Sequence, residues 1–523
     1  MNYFSIFAIL YITTFLYEMT EKWKHVGFSW AFVILLSLLV FTGINRLKFF
    51  IFLVASTAYI LLFRFPEVAN HVNFILLINI PLILGILYSW LRPHLTDQDS
   101  FQITSPFLRL SLVFAYFFAG FHKLNQDFFH PEVSCLGWFM GAFVSIVTTS
   151  KVLFIPSILI LLGLGVVCVR LLGNPLKRLS RSLKFCLLAL GTAMAIAAGG
   201  ILVLMLQDSV PTWLRAVVIL LVAVVVIAWE VVGGPLLLWP RVQGPILAFS
   251  AAMHASFALI GFVDFSSLAL AILFCYIPQN YLDVLDKRSS VSVFQYKIHR
   301  AHAYFLILLL GSLLTGLHYR IGWNFGDMPF LHGIVFLGGT AVLFWPILAT
   351  LCSTQRLPWQ GIPLLNPQVN VLPVVAFALL VFFFGMNSYL GLRTAGNFSM
   401  FSNLRTEGID SNHLLLASNP LKIWDYQDNV IDVLAINDEA AAIGHKYRPL
   451  KGERLPLVEF KKLIHKWTEA NYTVPITFVH NGVTYSSQDI VNDATWQTPK
   501  RTWDMYFMDF RIIQTEGPNI CRW

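Results

Sequence analysis

Charged side chains are scarce in this 523-residue chain, where Asp, Glu, Lys and Arg together make up 12% of the residues. A soluble domain carries about twice that share. Apolar residues make up 57%, and Phe alone occurs 45 times. This composition excludes an ordinary water-soluble globular fold and indicates a membrane protein that crosses the bilayer many times.

Several kinds of functional signal are missing as well. The six cysteines form no CxxC or metal-ligand pattern, so no metal site is predicted. No P-loop, GxSxG elbow, HExxH helix or dinucleotide fingerprint occurs. The net charge of +8 comes from basic residues scattered between apolar runs. Such residues face anionic lipid and hold cytoplasmic loops in place, so no nucleic-acid partner is predicted.

Apolar runs of the length that crosses a bilayer, about 20 residues, recur about a dozen times. The stretch Gly244–Ile277 is interrupted by Asp264 and is compatible with one crossing or with two shorter helices. The pattern predicts an all-α polytopic membrane helix bundle over residues 1–390. The runs are Tyr3–Tyr17, Val26–Ile44, Leu47–Phe63, Val72–Leu91, Pro106–Phe121, Val152–Val169, Leu183–Leu206, Trp213–Trp239, Gly244–Ile277, Ala301–His318, Leu331–Leu351 and Val371–Leu390.

Orientation follows from the basic residues between the runs. The strongest cluster lies in Arg170–Lys184, which the positive-inside rule places in the cytoplasm. Met1–Glu18 lacks a basic leading region and a clear cleavage site, so it is interpreted as a retained first span. Counting spans predicts a cytoplasmic N-terminus and places Pro66–His71, Lys123–Cys135 and the region after Leu390 together on the outer side.

Residues 391–523 have a mixed polar composition and predict a small extracytoplasmic α+β domain. Asn-Gly at 481–482 lies within the alternating stretch Thr473–Tyr485, as in a β-hairpin. Leu455–Ala470 has helical spacing. Cys135 and Cys521 both fall on the predicted outer side, where they are compatible with a disulfide or with two free thiols.

The stretch Phe114–Cys135 carries the clearest chemical signal. An apolar helix end runs directly into His122 and Lys123, which places Lys123 at the boundary between hydrocarbon and water. Partial desolvation there favours the neutral, basic form of an amine. His71 opens the span Val72–Leu91 at the same predicted depth, so the two are candidates for a proton-transfer pair. The competing interpretation is interfacial anchoring, with a snorkelling lysine and a helix-capping histidine.

Other ionisable residues lie within the apolar runs. Glu230 and His254 are placed deep in theirs, where such groups are costly and usually functional or paired. A structural polar pair is the alternative interpretation for both. Arg109 is interpreted as an anchor on the cytoplasmic side, and His122 as a solvated loop residue.

Two short motifs resemble those of a known family. NHV at residues 70–72 and YFFAGFHKLN at residues 116–125 resemble the paired motifs of vitamin K-dependent γ-carboxylases. Their bacterial relatives, the horizontally transferred transmembrane (HTTM) domain family, share these motifs. MHA at 253–255 resembles the family's later FH motif, and NFSMF at 397–401 resembles its SWxMM-type segment.

The resemblance implies roles for particular residues. It implies that Lys123 is the base that deprotonates a reduced naphthoquinone, of the vitamin K or menaquinol type. His71 would assist the developing alkoxide or carbanion. The remaining candidates for the pocket are Asn70, His122, Glu230, His254 and Met400.

The chemistry implied by the resemblance uses O2 and CO2. The oxygenated quinone becomes a strong base, which removes a carbon-bound proton from an acceptor that then attacks CO2. The implied partners are membrane lipid, the lipophilic quinol and a protein or peptide acceptor. Eukaryotic members carry a large lumenal region that binds a propeptide, whereas residues 391–523 are compact, so the identity of the acceptor stays open.

Two other classes of function fit the same sequence. A transporter or lipid-handling protein would use Glu230 and His254 in a site near the bilayer midplane. A structural or assembly subunit would instead act through the outer region, residues 391–523. Loss of quinol-dependent chemistry on replacement of Lys123 distinguishes the enzyme from both.

Overall fold

The computed structural model is mostly helical, with 62% of its residues in helices and a small sheet region. The predicted runs Val152–Val169 and Leu183–Leu206, with the basic loop Arg170–Lys184 between them, lie outside the described residues. The structure describes residues 2–20, 26–65, 68–139, 141, 212–288, 290–293, 296–321, 328–352, 359–364, 369–408, 410–418, 421–437, 450–497 and 500–521.

Five helices form the first part of the chain. They are α1 (Tyr3–Thr20), α2 (Val26–Phe41), α3 (Arg46–Tyr59), α4 (Asn70–Trp90) and α5 (Asp97–His122). A π-helical turn, Ile60–Arg64, continues α3. The last of the five helices begins nine residues before the predicted Pro106, because Thr96 and Asp99 form a capping box at its start.

The next described helices begin at Thr212. They are α6 (Thr212–Ala228), α7 (Gln243–Leu259), α8 (Val263–Leu273), α9 (Gln279–Lys287), α10 (Arg300–Ile321), α11 (Met328–Cys352) and α12 (Val371–Leu390), with the short antiparallel strands β1 (Ser290–Val293) and β2 (Tyr296–His299) after α9. Gly261, at φ 103°, lies in the break between α7 and α8. The stretch Gly244–Ile277 is therefore two helices.

Five helices among the described residues are long and apolar enough to cross a membrane, or six if the pair Val263–Tyr276 and Gln279–Lys287, bent by 109°, counts as one. Shorter apolar helices lie over Tyr3–Leu16, Phe32–Phe41, Arg300–Leu314 and Leu331–Ile347. The chain is thus built as a membrane protein, and the count of a dozen runs stays a prediction. The five are Arg46–Arg64, Asn70–Trp90, Asp97–His122, Ala216–Leu236 and Val371–Leu390.

Arg109 lies three turns inside α5 and is buried. Its guanidinium donates hydrogen bonds to the carbonyl oxygens of Pro363, at 2.9 Å, and Leu364, at 3.0 Å. Its predicted role as an interfacial anchor is therefore wrong. The error followed from placing the start of the helix at Pro106, which put Arg109 in its first turn.

The C-terminal region contains an antiparallel sheet packed against one helix. The Asn481-Gly482 turn joins two neighbouring strands, with both residues at positive φ, 52° and 76°, as the hairpin pattern predicts. The Phe460 ring of the helix packs against the Phe478 ring of the sheet, with the ring centroids 4.9 Å apart. The elements are β3 (Val430–Ile436), β4 (Glu453–Pro456), α13 (Leu457–Glu469), β5 (Ile476–His480), β6 (Val483–Ser487), α14 (Trp503–Phe507) and β7 (Ile513–Gln514), in sheet order β6-β5-β3-β4-β7.

The segment after α12 connects this region to the helices. Gly391 ends α12 in the left-handed conformation, at φ 86°. Asn73 of α4 donates to the carbonyl of Gly396 at 2.9 Å, and the Asn70 side chain accepts from the Ser399 N–H at 3.1 Å. The start of α4 and the end of α12 therefore lie at the same end of the helical part.

Candidate functional site

Lys123 and Glu230 form a buried pair where α5 ends. The Lys123 amine donates to both carboxylate oxygens of Glu230, at 2.9 and 2.8 Å, and to the carbonyl of Ala119 at 3.2 Å. Lys123 is 5% exposed and Glu230 6%. The pair thus brings together two predicted site residues that are 107 positions apart.

Close approach of two backbones makes this pairing possible. After α6 the chain forms a π-helical turn, Trp229–Gly233, which projects Glu230 toward α5. A side chain at Gly120 would place its Cβ 2.7 Å from the Cβ of Glu230 and 2.8 Å from Cγ2 of Val231. A glycine at position 120, within the AGFHKL sequence, therefore lets the π turn touch α5.

The carboxylate changes what is expected of the lysine. The sequence predicts a neutral amine without a charged partner, but the structure places both carboxylate oxygens of Glu230 within hydrogen-bond distance of Lys123, so one proton can lie on Lys123 in an ion pair. In a dry environment the same proton can instead move to Glu230 and leave both groups neutral. Because both states share one proton, Lys123 and Glu230 act as a unit in any acid–base step.

His71 forms a second acid–base pair, with Asp264. Its Nε2 lies 3.1 Å from Oδ2 of Asp264, in the first turn of α8. Asp264 is the residue that interrupts the apolar run Gly244–Ile277. The structure shows that this carboxylate is the partner of the His71 ring. Lys123 thus pairs with Glu230 and His71 with Asp264, whereas the sequence predicted Lys123 and His71 as a pair with each other.

His254 pairs with a tyrosine that the sequence did not single out. The Tyr116 hydroxyl lies 2.7 Å from Nε2 of His254, and both residues are buried. Nδ1 of His254 is buried without a hydrogen-bond partner among the described residues. Tyr116 precedes Lys123 by seven positions and so lies on the same face of α5, about 10 Å away along the axis. This seven-residue spacing could have identified Tyr116 from the sequence as a residue on the same helix face as Lys123.

His122 is fully buried, so its predicted solvation is wrong. Its Nε2 lies 3.1 Å from the carbonyl of Gly385 in α12, and its ring packs beside Phe118 and Tyr389. The mistake arose because the polar residues after position 122 resemble an exposed loop. Met400 is half-buried and directly follows Ser399, whose N–H donates to the Asn70 side chain.

A polar network holds the chain just after Lys123. Asn125 donates to the His122 carbonyl at 2.8 Å. Asn412 donates to Oδ2 of Asp127 at 2.7 Å, and the Asn519 N–H donates to the same oxygen at 2.9 Å. Asn412 and Asn519, from two distant segments, therefore hold the chain just after α5 in place, which sequence reasoning did not anticipate.

The disulfide Cys135–Cys521 joins the segment after α5 to the C-terminal end, with Cα atoms 4.8 Å apart. Asn403 reinforces this junction by donating to the carbonyl oxygens of Val133, at 2.8 Å, and Asn519, at 2.9 Å. Of the two alternatives that the sequence left open, the structure has the bonded one.

Within the described ranges, no three His, Cys, Asp or Glu side chains are grouped so as to hold a metal ion. A groove of about 430 Å³ lies at the end of α12 and is lined by Phe382, Phe383, Met386 and Leu390 with residues 421–423. Its lining does not include Lys123.

No protein-family model, curated protein or solved structure matches the chain. The resemblance to the γ-carboxylases therefore stays an expectation from the sequence motifs at positions 70–72, 116–125, 253–255 and 397–401.

Proposed function

We propose that the chain is an integral-membrane enzyme of the γ-carboxylase-like class in which Lys123 and Glu230 together accept and return a proton. The supporting observation is the buried, doubly hydrogen-bonded pair at the end of α5. An ionisable pair inside apolar helices is costly to bury and is usually retained for function. Lys123 also lies in the AGFHKL sequence, within one of the motifs that resemble those of the γ-carboxylases, and this resemblance supports the same proposal.

The proposed arrangement is a polytopic bundle over residues 1–390 and an α+β domain over residues 391–523, with a cytoplasmic N-terminus. Five candidate spans support the membrane part. The disulfide Cys135–Cys521 supports an extracytoplasmic position for the second domain, because disulfides persist in oxidising compartments.

The proton-transfer groups suit a substrate with an acidic hydroxyl group, such as a reduced naphthoquinone. When bound, this quinol would be the group that reacts with O2. With its proton on Glu230, the neutral Lys123 amine takes the substrate proton, and the pair then carries one proton more. Tyr116 with His254 provides a second hydrogen-bonded acid–base pair on the same face of α5. His71 is held in place by Asp264.

The test is an assay of the purified protein with reduced menaquinone, O2 and labelled CO2, scored for quinone oxidation and for label in protein. Lys123→Met removes the base and is expected to abolish activity. Because this single variant leaves the buried Glu230 carboxyl group without the Lys123 partner of both its oxygens, it is also expected to lose about 3–5 kcal/mol of unfolding free energy.

A double variant separates catalysis from stability. Lys123→Met with Glu230→Gln leaves no charge at the site, so much of the lost stability should return while activity stays absent. Lys462→Met is the matched control, because Lys462 is equally buried and its amine lies 2.7 Å from Oε1 of Glu459 in the C-terminal region. It should destabilise the protein but leave the folded fraction active. Activity in the folded double variant would overturn the proposal.

A proton-coupled transporter is the second candidate, because Glu230 and His254 each contact α5 through a polar partner. It predicts substrate-dependent proton flux into sealed vesicles and no oxidation of the quinol. A structural subunit predicts that the folded double variant retains the full biological role.

A further inference from the structure

Two apolar patches flank the point where α12 leaves the helical part. The first, patch A, consists of Leu421, Ile423 and Trp424. The second, patch B, consists of Trp503 and Phe507 of α14 with the intervening Tyr506. Ile423 is 71% exposed and Trp503 is 68% exposed. Large side chains concentrated on a surface in this way mark a contact with something apolar.

Patch A is fixed to the last residue of a candidate span. The N–H groups of Ile423 and Trp424 both donate to the carbonyl of Leu390, at 3.1 Å. A side chain at Gly391 would place its Cβ 1.9 Å from the carbonyl oxygen of Trp424, so only glycine admits this contact. Patch A is thereby held rigidly beside the end of α12.

The surface of α12 continues into patch A without interruption. Leu372, Leu379 and Phe383 are exposed along the helix, as expected of side chains that face lipid. Near its end, Phe383 lines the 430 Å³ groove together with Leu421 and Ile423. A bilayer that covers the apolar side of α12 therefore reaches the groove and patch A.

Patch B adjoins the end of a second candidate span. Phe65, the residue directly after Arg46–Arg64, has its ring centroid 6.1 Å from that of Phe507. The Arg501 guanidinium lies 6.0 Å from the Tyr506 ring centroid. Tryptophan and tyrosine beside arginine form the usual composition of a membrane–water interface.

The two patches lie at the same end of the helices. The turn after Gly391 binds the chain that follows α14, since the N–H groups of Thr394 and Ala395 donate to the carbonyl of Asp509, at 3.1 and 3.0 Å. A single interfacial plane through the ends of the two spans therefore meets both patches.

We infer that patches A and B insert into the phospholipid headgroup region and seat residues 391–523 on the bilayer surface. The apolar rings and aliphatic side chains contact the acyl chains instead of water, and Arg501, whose guanidinium lies 3.5 Å from the Glu469 carboxylate, lies at the level of the phosphates. This assignment depends on α12 lying in a bilayer. It is independent of the chemistry at Lys123.

Spin labels on the full chain in phospholipid nanodiscs test the inference. Ile423→Cys and Trp503→Cys report the two patches. Leu379→Cys, on the exposed side of α12, reports the bilayer, and Val483→Cys, exposed on the β5–β6 hairpin, reports water. The same labelling of the unsubstituted protein gives the background.

For each spin label we take the ratio of its accessibility to O2 to its accessibility to a water-soluble nickel chelate. This ratio is expected to be at least threefold higher at positions 379, 423 and 503 than at position 483. Values at 423 and 503 equal to that at 483, with 379 in the bilayer, would overturn the inference. Dipolar broadening at 423 without O2 enrichment would do so too, because it would show a second copy on the patch. An aqueous value at 379 would overturn the proposed membrane placement itself.

Discussion

At the scale of single residues, His413 links the segment after α12 to α5 in one protonation state. Its Nε2 lies 2.9 Å from the carbonyl of Phe121, and its Nδ1 accepts from the N–H groups of Leu415 and Leu416, each at 3.2 Å. A ring that donates at one nitrogen and accepts at the other is neutral. Burial likewise lowers the pKa of His413 below its ordinary value of 6.5.

The stability of the protein should therefore fall in acid. A lowered pKa in the folded state means that the unfolded chain binds the proton more readily. The contribution of His413 to the unfolding free energy is full above pH 6.5 and is lost as the pH falls below it. The added slope is at most about 1.4 kcal/mol per pH unit.

Unfolding in detergent between pH 5 and 8 measures this slope. We expect His413→Gln to flatten it, because glutamine keeps a donor and an acceptor but does not titrate in this range. His94→Gln, at an exposed position, should leave it unchanged. An unaltered slope in the His413 variant would contradict the assignment of the neutral ring.

At the scale of elements, the contact between α5 and the π turn is the most demanding packing in the site. Gly120→Ala puts a methyl group 2.7 Å from the Cβ of Glu230. Both of these carbons are attached directly to the backbone, so neither can move aside without a shift of α5 or of the π turn. We expect a loss of about 1–3 kcal/mol of unfolding free energy. Activity should fall too, because the Lys123 amine and Glu230 are pushed apart.

Gly338→Ala is the matched control, because position 338 lies within α11 and, among the described residues, no atom beyond the adjoining backbone of its own helix lies within 4 Å of the added Cβ. There the substitution should stabilise the helix by up to about 1 kcal/mol. Thermal unfolding of both variants gives the comparison. Equal stability of the two would mean that α5 and the π turn separate without cost.

Individual elements were predictable where local chemistry decides them. Val371–Leu390 was predicted with both ends correct, because an apolar run ends at a glycine suited to a left-handed cap. The start of α5 was missed, since its first two turns are polar and only Thr96 and Asp99 signal them. The π turn at Trp229 was not predictable, because it depends on contact with α5 and has no local pattern.

At the scale of the whole molecule, the site's residues were easier to predict than their partners. Lys123, His71, Glu230 and His254 were identified because ionisable groups among apolar residues stand out in a sequence. Their pairing was not, since Glu230 meets Lys123 only after the chain has folded across 107 residues. Sequence periodicity constrains neighbours within one helix and carries no information on which helices meet.

The disulfide gives the last whole-molecule prediction. Cys135–Cys521 closes a loop of 386 residues, and Cys521 also donates its N–H to the Val133 carbonyl at 3.2 Å. Cys521→Ser should therefore lower the unfolding free energy by about 2–5 kcal/mol and leave the hydrogen-bonded contact as the weaker attachment. Hydrogen exchange should rise at residues 513–521, and the number of thiols that alkylation detects only after reduction should fall by two. Cys275→Ala, at a buried free thiol, should leave that number unchanged. If the unsubstituted protein from its native membrane gained no thiols on reduction, the bond and the extracytoplasmic position of residues 391–523 would both lose their support.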